Sequence, residues 1–405
     1  MNTDDVRAYV EQNCFSPRSG NVGAEVEWIV LDRADITRHT SFAAARAATS
    51  ALEPFASGNR ITWEPGGQLE LSSAPFATAG AVCDAVATDL AAVRRALLAR
   101  GMTLGGIGLD PAREDRRVLD TPRYAAMEAY FDSAGPDGRR MMCRTASIQV
   151  NVDGGTNDIA ARWRRAHAIG PMLAAVFANS PFIGGRPTGW LSARLGTWWA
   201  MDRSRTAPVR ATETPADAWT RYALRARVML IRAGDGDYVP VPSGMTFERW
   251  MDDGHDLGYP TLDDFAYHLT TLFPPVRARG WLELRMIDAL PDPWWRVAVA
   301  VPAALLEDAE AADAAERACR GTETLWTDAS RFSLTEPNLA RAAIECFRIA
   351  LDALPRIGAD ATTIAAAAAF FDRYVARGRC PADDLLQAYH ERGALPVPAR
   401  EPIWI

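Results

Sequence analysis

Glu25 and Glu27 stand two apart in Gly23-Ala24-Glu25-Val26-Glu27-Trp28. Glu64, Gln68 and Glu70 lie within Trp63-Glu64-Pro65-Gly66-Gly67-Gln68-Leu69-Glu70-Leu71-Ser72. Both segments read as strands. Side chains alternate along a strand, so Glu25 shares a face with Glu27 and Gln68 with Glu70, while Val26 and Leu69 point into a core. Carboxylates crowded on one face repel each other unless cations neutralise them. Hard oxygen donors of this kind suit magnesium, above all with phosphates bound. A single Glu-x-Glu strand is also what the wet side of an antiparallel sheet presents. The second segment weighs against that plainer reading. Pro-Gly-Gly between two glutamates lets the backbone turn sharply and approach a ligand closely.

These carboxylates need strands to carry them and helices to back the strands. Strands are expected near 22–31 and 60–72. Over 145–153, Thr145, Ser147, Gln149, Asn151 and Asp153 alternate with Ala146, Ile148, Val150 and Val152 in strict period two. Over 277–288, Arg277, Arg279, Trp281, Glu283 and Arg285 fall on one face and Leu282, Leu284 and Met286 on the other. If these four strands pair in one antiparallel sheet with helices behind, their polar faces form a curved floor of glutamates, neutral amides and arginines. The glutamates would hold two or three magnesium ions. The arginines would bind phosphate or carboxylate through bidentate forks. That combination suits phosphoryl transfer from ATP, where positioning and charge neutralisation do nearly all the work. Taken alone, Glu283 and Arg285 are equally an ordinary cross-strand ion pair.

Helical spacing marks 1–15, 79–99, 157–178, 214–227 and 261–270, with a short helix near Tyr124–Phe131 in the otherwise loop-like 110–140. From about 293 to 391 the chain is mainly helical and alanine-rich, with faces that should pack together and onto a sheet. The candidate site segments spread from 23 to 288. This favours one integrated domain over 1–405, with a mostly helical part from about 293 to 405.

Bulk properties narrow the function further. Hydrophobic content of 48% and charged content of 23% are those of a soluble globular protein. No apolar run has membrane-spanning length, and MNTDDVRAYVEQNCF lacks a signal-peptide pattern, so the cytoplasm is the expected location and no membrane partner is expected. A net charge of −7 argues against a nucleic-acid partner. The chain contains no lysine; all 44 basic residues are arginine. A Walker A loop, a kinase strand lysine and Schiff-base chemistry are thereby excluded. The six cysteines show no CxxC spacing and are expected to be reduced core thiols. The histidines have no partners at metal-ligand spacing, and His268 fits a helix core or cap.

At these same residues the chain resembles the glutamate–cysteine ligase family, in its plant and actinobacterial branch. WEPGGQLELSSAPF is similar to the family's glycine-rich carboxylate segment. MMCRTASIQVNVD, FANSPF, LSARLGTWWAMDRSRT, GMTFERWM, HLTTLFP and WLELRMIDALP follow in the family's order over roughly 20–310. The resemblance implies an α+β fold: a glutamine-synthetase-like antiparallel sheet forming an active-site funnel, surrounded by helices. It implies ATP-dependent joining of the L-glutamate γ-carboxylate to L-cysteine through a γ-glutamyl phosphate, with magnesium. By matched position it implies Glu25, Glu27, Glu64, Glu70 and Glu283 as metal carboxylates and Gln149 beside them. Arg194, Arg205 and Arg285 match arginines for phosphate or the glutamate carboxylate. Asn151 and Arg232 are further candidates for nucleotide binding. Ala207 departs from the family, where glycine would be usual. A lysine-free, Ala/Arg/Trp-rich composition fits a high-GC actinobacterial source, where such a ligase often feeds ergothioneine biosynthesis.

Three other readings stay open at this point. A related carboxylate–amine ligase would share the metal and ATP residues and differ in its acceptor pocket. A magnesium-dependent hydrolase would turn over without ATP. A degenerate binding protein would have no reason to keep glutamate at all five matched positions.

Overall fold

One strand, β1 (Val22–Asp32), organises the sheet because it is long enough to take three antiparallel partners. In this computed structural model, which describes residues 1–395 except 19, 157, 212 and 235, its first half pairs with β5 (Ser147–Asp153). Its middle pairs with β3 (Leu69–Ser72) and its end with β4 (Met102–Gly105). β2 (Arg60–Trp63) flanks β3, while β6 (Val276–Ala278) and β7 (Trp281–Asp288) extend the sheet beyond β5. The order is β6-β7-β5-β1-β3-β2, with β4 on the far half of β1.

Alternation sets the two faces. Ala24, Val26 and Trp28 of β1, with Ile148, Val150 and Val152 of β5, are buried against helices. The Ala79–Leu98 helix packs behind β1. The Trp294–Glu307 helix packs on β5 and is apolar almost all round, as its central position requires. Helices continue to Arg392, and the last ten residues of the expected helical part lie outside the described residues. Among the described residues, no helix is long and apolar enough to cross a membrane. All six cysteines are buried and free; Sγ of Cys319 and Sγ of Cys346 approach to 3.6 Å.

Two expected strands are hairpins. In 60–72 the Pro-Gly-Gly is the turn between β2 and β3: Glu64 N donates to Gln68 O at 2.9 Å, and Gly67 N to Glu64 O at 2.8 Å. Gly67 has φ +87°, a conformation only glycine adopts without strain. In 277–288 the chain reverses at Gly280, so Arg277 sits across from Glu283 rather than along from it. The second half of 110–140 also differs: Asp137–Arg144 is a helix, and its end abuts the β2–β3 turn.

That turn is clamped from outside. Gln68 Nε2 donates to Thr145 O at 2.8 Å, and its Oε1 accepts from Gly66 N at 3.0 Å. Val118 N and Leu119 N both donate to Pro65 O, at 2.7 and 3.2 Å. A Cβ on Gly66 would lie 2.0 Å from the carbonyl oxygen of Cys143, which is backbone and cannot swing away. Gly66→Ala should therefore destabilise the fold by about 3 kcal/mol. A denaturant midpoint unchanged from the parent would show that the turn is not held against Cys143.

Candidate active site

The polar face of the sheet opens into a cavity of about 720 Å³. Glu27 comes from β1, Glu70 from β3, and Glu64 from the β2–β3 turn. One carboxylate oxygen from each lies within 4.8 Å of the others. Local hydrogen bonds fix two of the three. Glu27 accepts from Ser147 N at 2.8 Å, Ser147 Oγ at 3.0 Å and Gln149 Nε2 at 2.9 Å. Glu70 Oε1 accepts from Thr62 Oγ1 and Ser72 Oγ. Glu64 has no hydrogen-bonding side-chain partner among the described residues, so its carboxylate faces its two neighbours. Glu25 stands one β1 step away and accepts from Asn151 Nδ2 at 3.1 Å.

Burial raises the pKa of all four, and neighbouring carboxylates add to the rise at Glu25, Glu64 and Glu70. Glu64 is pushed well above the usual carboxylate range by burial and then by Glu27 and Glu70. Glu27 and Glu70 rise chiefly through burial. Glu25 rises to about 7, through burial and then Glu283 and Glu70. A buried group of acids with raised pKa values is short of positive charge. A carboxylate whose pKa is raised by folding stabilises the fold below its unfolded value, near 4.3. That contribution disappears as pH rises through the folded value. The metal-free protein should therefore lose melting temperature between about pH 5 and about pH 8, and magnesium should remove most of the slope. Melting curves in EDTA that stay flat across this window would mean that the cluster carries no such strain.

Glu283 does not join the cluster. Folded across the β6–β7 hairpin, it is fully buried and receives Arg277 through Nε at 2.5 Å and Nη2 at 3.0 Å, and Arg285 Nη1 at 2.9 Å. Burial opposes its charge, but Arg277 and Arg285 win, and its pKa falls well below the usual range. Glu283, expected as a fifth metal carboxylate, has both its oxygens accepting from arginine here.

The expected arginines separate in the same way. Arg285 lines the cavity, donates to Gln149 Oε1 and Glu283, and keeps a buried Nε without a partner. Arg194 is 1% exposed. It pairs with Asp288 at 3.4 Å and donates to the main-chain oxygen of Arg285 at 2.7 Å. Arg205 is completely buried and committed to Asp202, Thr271 O, Arg227 O and Tyr130 Oη. Neither Arg194 nor Arg205, both expected to bind phosphate or the glutamate carboxylate, is among the residues lining the cavity. Arg232 is on the Leu230–Gly234 strand of a separate hairpin, paired with Asp264 at 3.1 Å and stacked over Tyr267. It too is away from the cavity lining. Gln149 lines the cavity, whereas Asn151 lines a neighbouring one of about 320 Å³.

Three cavity residues were missed from sequence: Arg46, Arg123 and Tyr124. Arg123 and Tyr124 open the Pro122–Asp132 helix, whose Thr121 cap and first-turn proline are a readable start signal. That signal locates a helix end and says nothing of a ligand. Met127, Met141, Trp198 and Phe273 supply an apolar wall. The smaller cavity shares Glu25 with the larger one and is closed by Trp281, Asn21 and Ser73.

The arrangement is a buried acid cluster facing Arg277 and Arg285 across one polar cavity. It can hold a divalent cation on one side and an anionic substrate on the other. Comparison with known proteins agrees. The family model described as glutamate-cysteine ligase family 2 (GCS2) matches residues 21–401. The chain is 42% identical over 381 residues to glutamate–cysteine ligase EgtA of Mycolicibacterium smegmatis, covering 92% of this chain and 88% of the relative. It is 40% identical over 394 residues to EgtA of Mycobacterium tuberculosis, covering 93% and 88%. It is 32% identical over 355 residues to the chloroplastic glutamate–cysteine ligase of Arabidopsis thaliana, covering 82% and 66%. A crystal structure of glutamate–cysteine ligase from Francisella tularensis in complex with AMP superposes with a TM-score of 0.50 at 12% identity, covering 93% of this chain and 86% of that one. It shares the fold.

Proposed function

Because the chain belongs to glutamate–cysteine ligase family 2, we propose that it uses ATP to activate the γ-carboxylate of L-glutamate and joins it to L-cysteine. The products are γ-glutamylcysteine, ADP and phosphate. The single observation that carries this reading is the Glu27–Glu64–Glu70 cluster facing Arg285 in one cavity. A carboxylate does not react with an amine at neutral pH, so a γ-glutamyl phosphate must form first, and the cysteine amine then displaces phosphate.

The donor set fits magnesium: three carboxylates, all hard oxygen, with no lysine in the chain to neutralise them. Glu27, Glu64 and Glu70 would hold it, with Glu25 adjacent, and it would neutralise charge on the phosphoryl group in transfer. The chain's own residues do the rest. Arg285 presents a free Nε to an oxyanion, and Gln149 holds both Arg285 and Glu27 in place. Arg46 and Arg123 at the rim suit the glutamate carboxylates. The apolar wall of Met127, Met141, Trp198 and Phe273 suits the short uncharged side chain of cysteine. The nucleotide base fits the smaller cavity against Trp281, with its phosphates passing Glu25. Entry of the product into ergothioneine biosynthesis is part of the proposal, supported by similarity to the mycobacterial relatives.

Phosphate release from Mg-ATP tests the reading, first with glutamate alone and then with cysteine or other amines, with products identified by mass. Release that requires glutamate and cysteine and yields γ-glutamylcysteine is the expected result. Stimulation by another amine would redirect the proposal to a ligase with a different acceptor. Absence of ATP turnover with any acid and amine would overturn it.

A further inference from the structure

A second polar cavity, of about 530 Å³, lies on the other side of the Pro65–Gly67 turn. Gly66, Gly67, the start of the Phe42–Thr49 helix and the Arg113–Val118 segment enclose it. Its charged lining is Arg113, Arg116 and Arg117, with His39 beside them, and no carboxylate is among the described residues that line it. Arg113 is held by Asp110 at 2.6 Å and by Val30 O at 3.0 Å, and Arg117 by Glu128 at 2.9 Å. Arg116 makes no hydrogen bond or ion pair among the described residues. Ser41 caps the helix through Ala44 N, so the positive end of the helix adds to the same field. Burial, then Arg113 and Arg116, lower the pKa of His39 against the opposing pull of Asp110 and Glu114.

This cavity is mechanically joined to the acid cluster. Val118 and Leu119 donate to Pro65 O, the residue after Glu64. A Cβ on Gly67 would meet Val118 at 3.2 Å and Phe42 at 3.5 Å, so both side chains close over Gly67. Phe42 packs edge-on against Trp63 and, like Gln68, borders both cavities. Loop, turn and Glu64 thus form one packed piece.

We propose that this cavity is a second, regulatory anion site. Its ligand is a small oxyanion with two or more negative charges, phosphate-like or dicarboxylate, held by Arg116 with Arg113 and Arg117. The three arginine forks match either oxyanion geometry, and the volume is that of a small-molecule site. Occupancy draws Arg116 inward and restrains the 113–119 segment, which holds Glu64 in register with Glu27 and Glu70 and lowers the magnesium concentration needed for activity. The binding claim is independent of the ligase reading; the magnesium effect rests on it.

Titration calorimetry on the full chain, free of magnesium and nucleotide, with inorganic sulfate and separately with succinate, tests the binding. At least one probe should bind the parent, weaken about tenfold or more in Arg116→Glu, and bind Arg285→Gln like the parent. The probe that binds distinguishes phosphate-like from carboxylate ligands. Binding untouched by Arg116→Glu, binding lost in Arg285→Gln, or no binding of either probe would overturn the proposal. In the coupled assay, the effective probe should lower the magnesium concentration for half-activation in the parent and leave it unmoved in Arg116→Glu. An equal shift in both would place the anion in the catalytic cavity and also overturn it. Failure of the ligase reading would show instead as missing turnover in the parent, with calorimetry unaffected.

Discussion

Glu70→Gln should cost the enzyme at least about 100-fold in kcat/KM and, in EDTA, raise its melting temperature by about 2 °C. The two effects have opposite signs because one charge does two things. Glu70 sits within 4.8 Å of Glu27 and Glu64 and shares their raised pKa. With no cation bound, its charge is a repulsion, and removing it relieves the fold. With magnesium bound, the same charge is a ligand, and a neutral amide is a much weaker one. Glutamine is the informative replacement because its Oε1 can still accept from Thr62 Oγ1 and Ser72 Oγ, so the local hydrogen bonds survive. Kinetics at saturating magnesium and melts in EDTA decide the matter. Near-parent kcat/KM would remove Glu70 from the metal site. A lower melting temperature in EDTA would mean that hydrogen bonding, rather than repulsion, governs this corner of the sheet.

The floor of the cavity was legible because strand alternation is a local rule. Glu25 and Glu27 on one face, and Gln149 and Asn151 on another, need only the period of two, and the pairing Glu25 with Gln149 in adjacent strands brings the faces together. The hairpins were less legible. WEPGGQLE contains its own turn; Pro-Gly-Gly signalled a sharp bend, but one strand over 60–72 did not anticipate that Glu64 leaves β2 into that turn, with Thr62 rather than Glu64 across from Glu70. RARGWLEL hides the same reversal at Gly280, which puts Arg277 across from Glu283; the metal role expected of Glu283 rested on the resemblance alone. Arginine roles were the least legible. Arg194, Arg205 and Arg285 look alike in sequence; Arg194 and Arg285 each keep a buried Nε without a partner, and only their place relative to the cavity separates them, Arg285 lining it and Arg194 lying behind. Of the residues that the resemblance named, Glu25, Glu27, Glu64, Glu70, Gln149 and Arg285 line one cavity. The resemblance did not distinguish the arginine at the cavity from the arginine behind it.

That distinction is open to direct measurement, because Arg285→Lys and Arg194→Lys should fail in different ways. Arg285 lines the cavity, reaches Gln149 and Glu283 with one nitrogen and leaves its buried Nε without a protein partner. A lysine ammonium carries three donors on a single nitrogen, so it can keep a contact to Glu283 but cannot hold Glu283, Gln149 and an oxyanion at the spread, fixed positions of a planar fork. Glu283 stays neutralised by Arg277, so the fold loses little. The expected result for Arg285→Lys is a fall in kcat of about 100- to 1,000-fold with a melting temperature close to the parent's. Arg194 holds the other position: buried against Asp288, it braces the strand by donating to the main-chain oxygen of Arg285. Replacing its fork with lysine leaves buried acceptors short of donors, so Arg194→Lys should lower stability by about 2–4 kcal/mol and reduce kcat far less than Arg285→Lys does. Arg285 is then the residue that touches substrate and Arg194 the one that positions it. If the two variants lost kcat equally while only one lost stability, Arg194 would have to reach the substrate as well. If Arg285→Lys kept near-parent kcat, the free Nε would not be the oxyanion donor, and Arg277 or Arg123 would be the next side chain to replace.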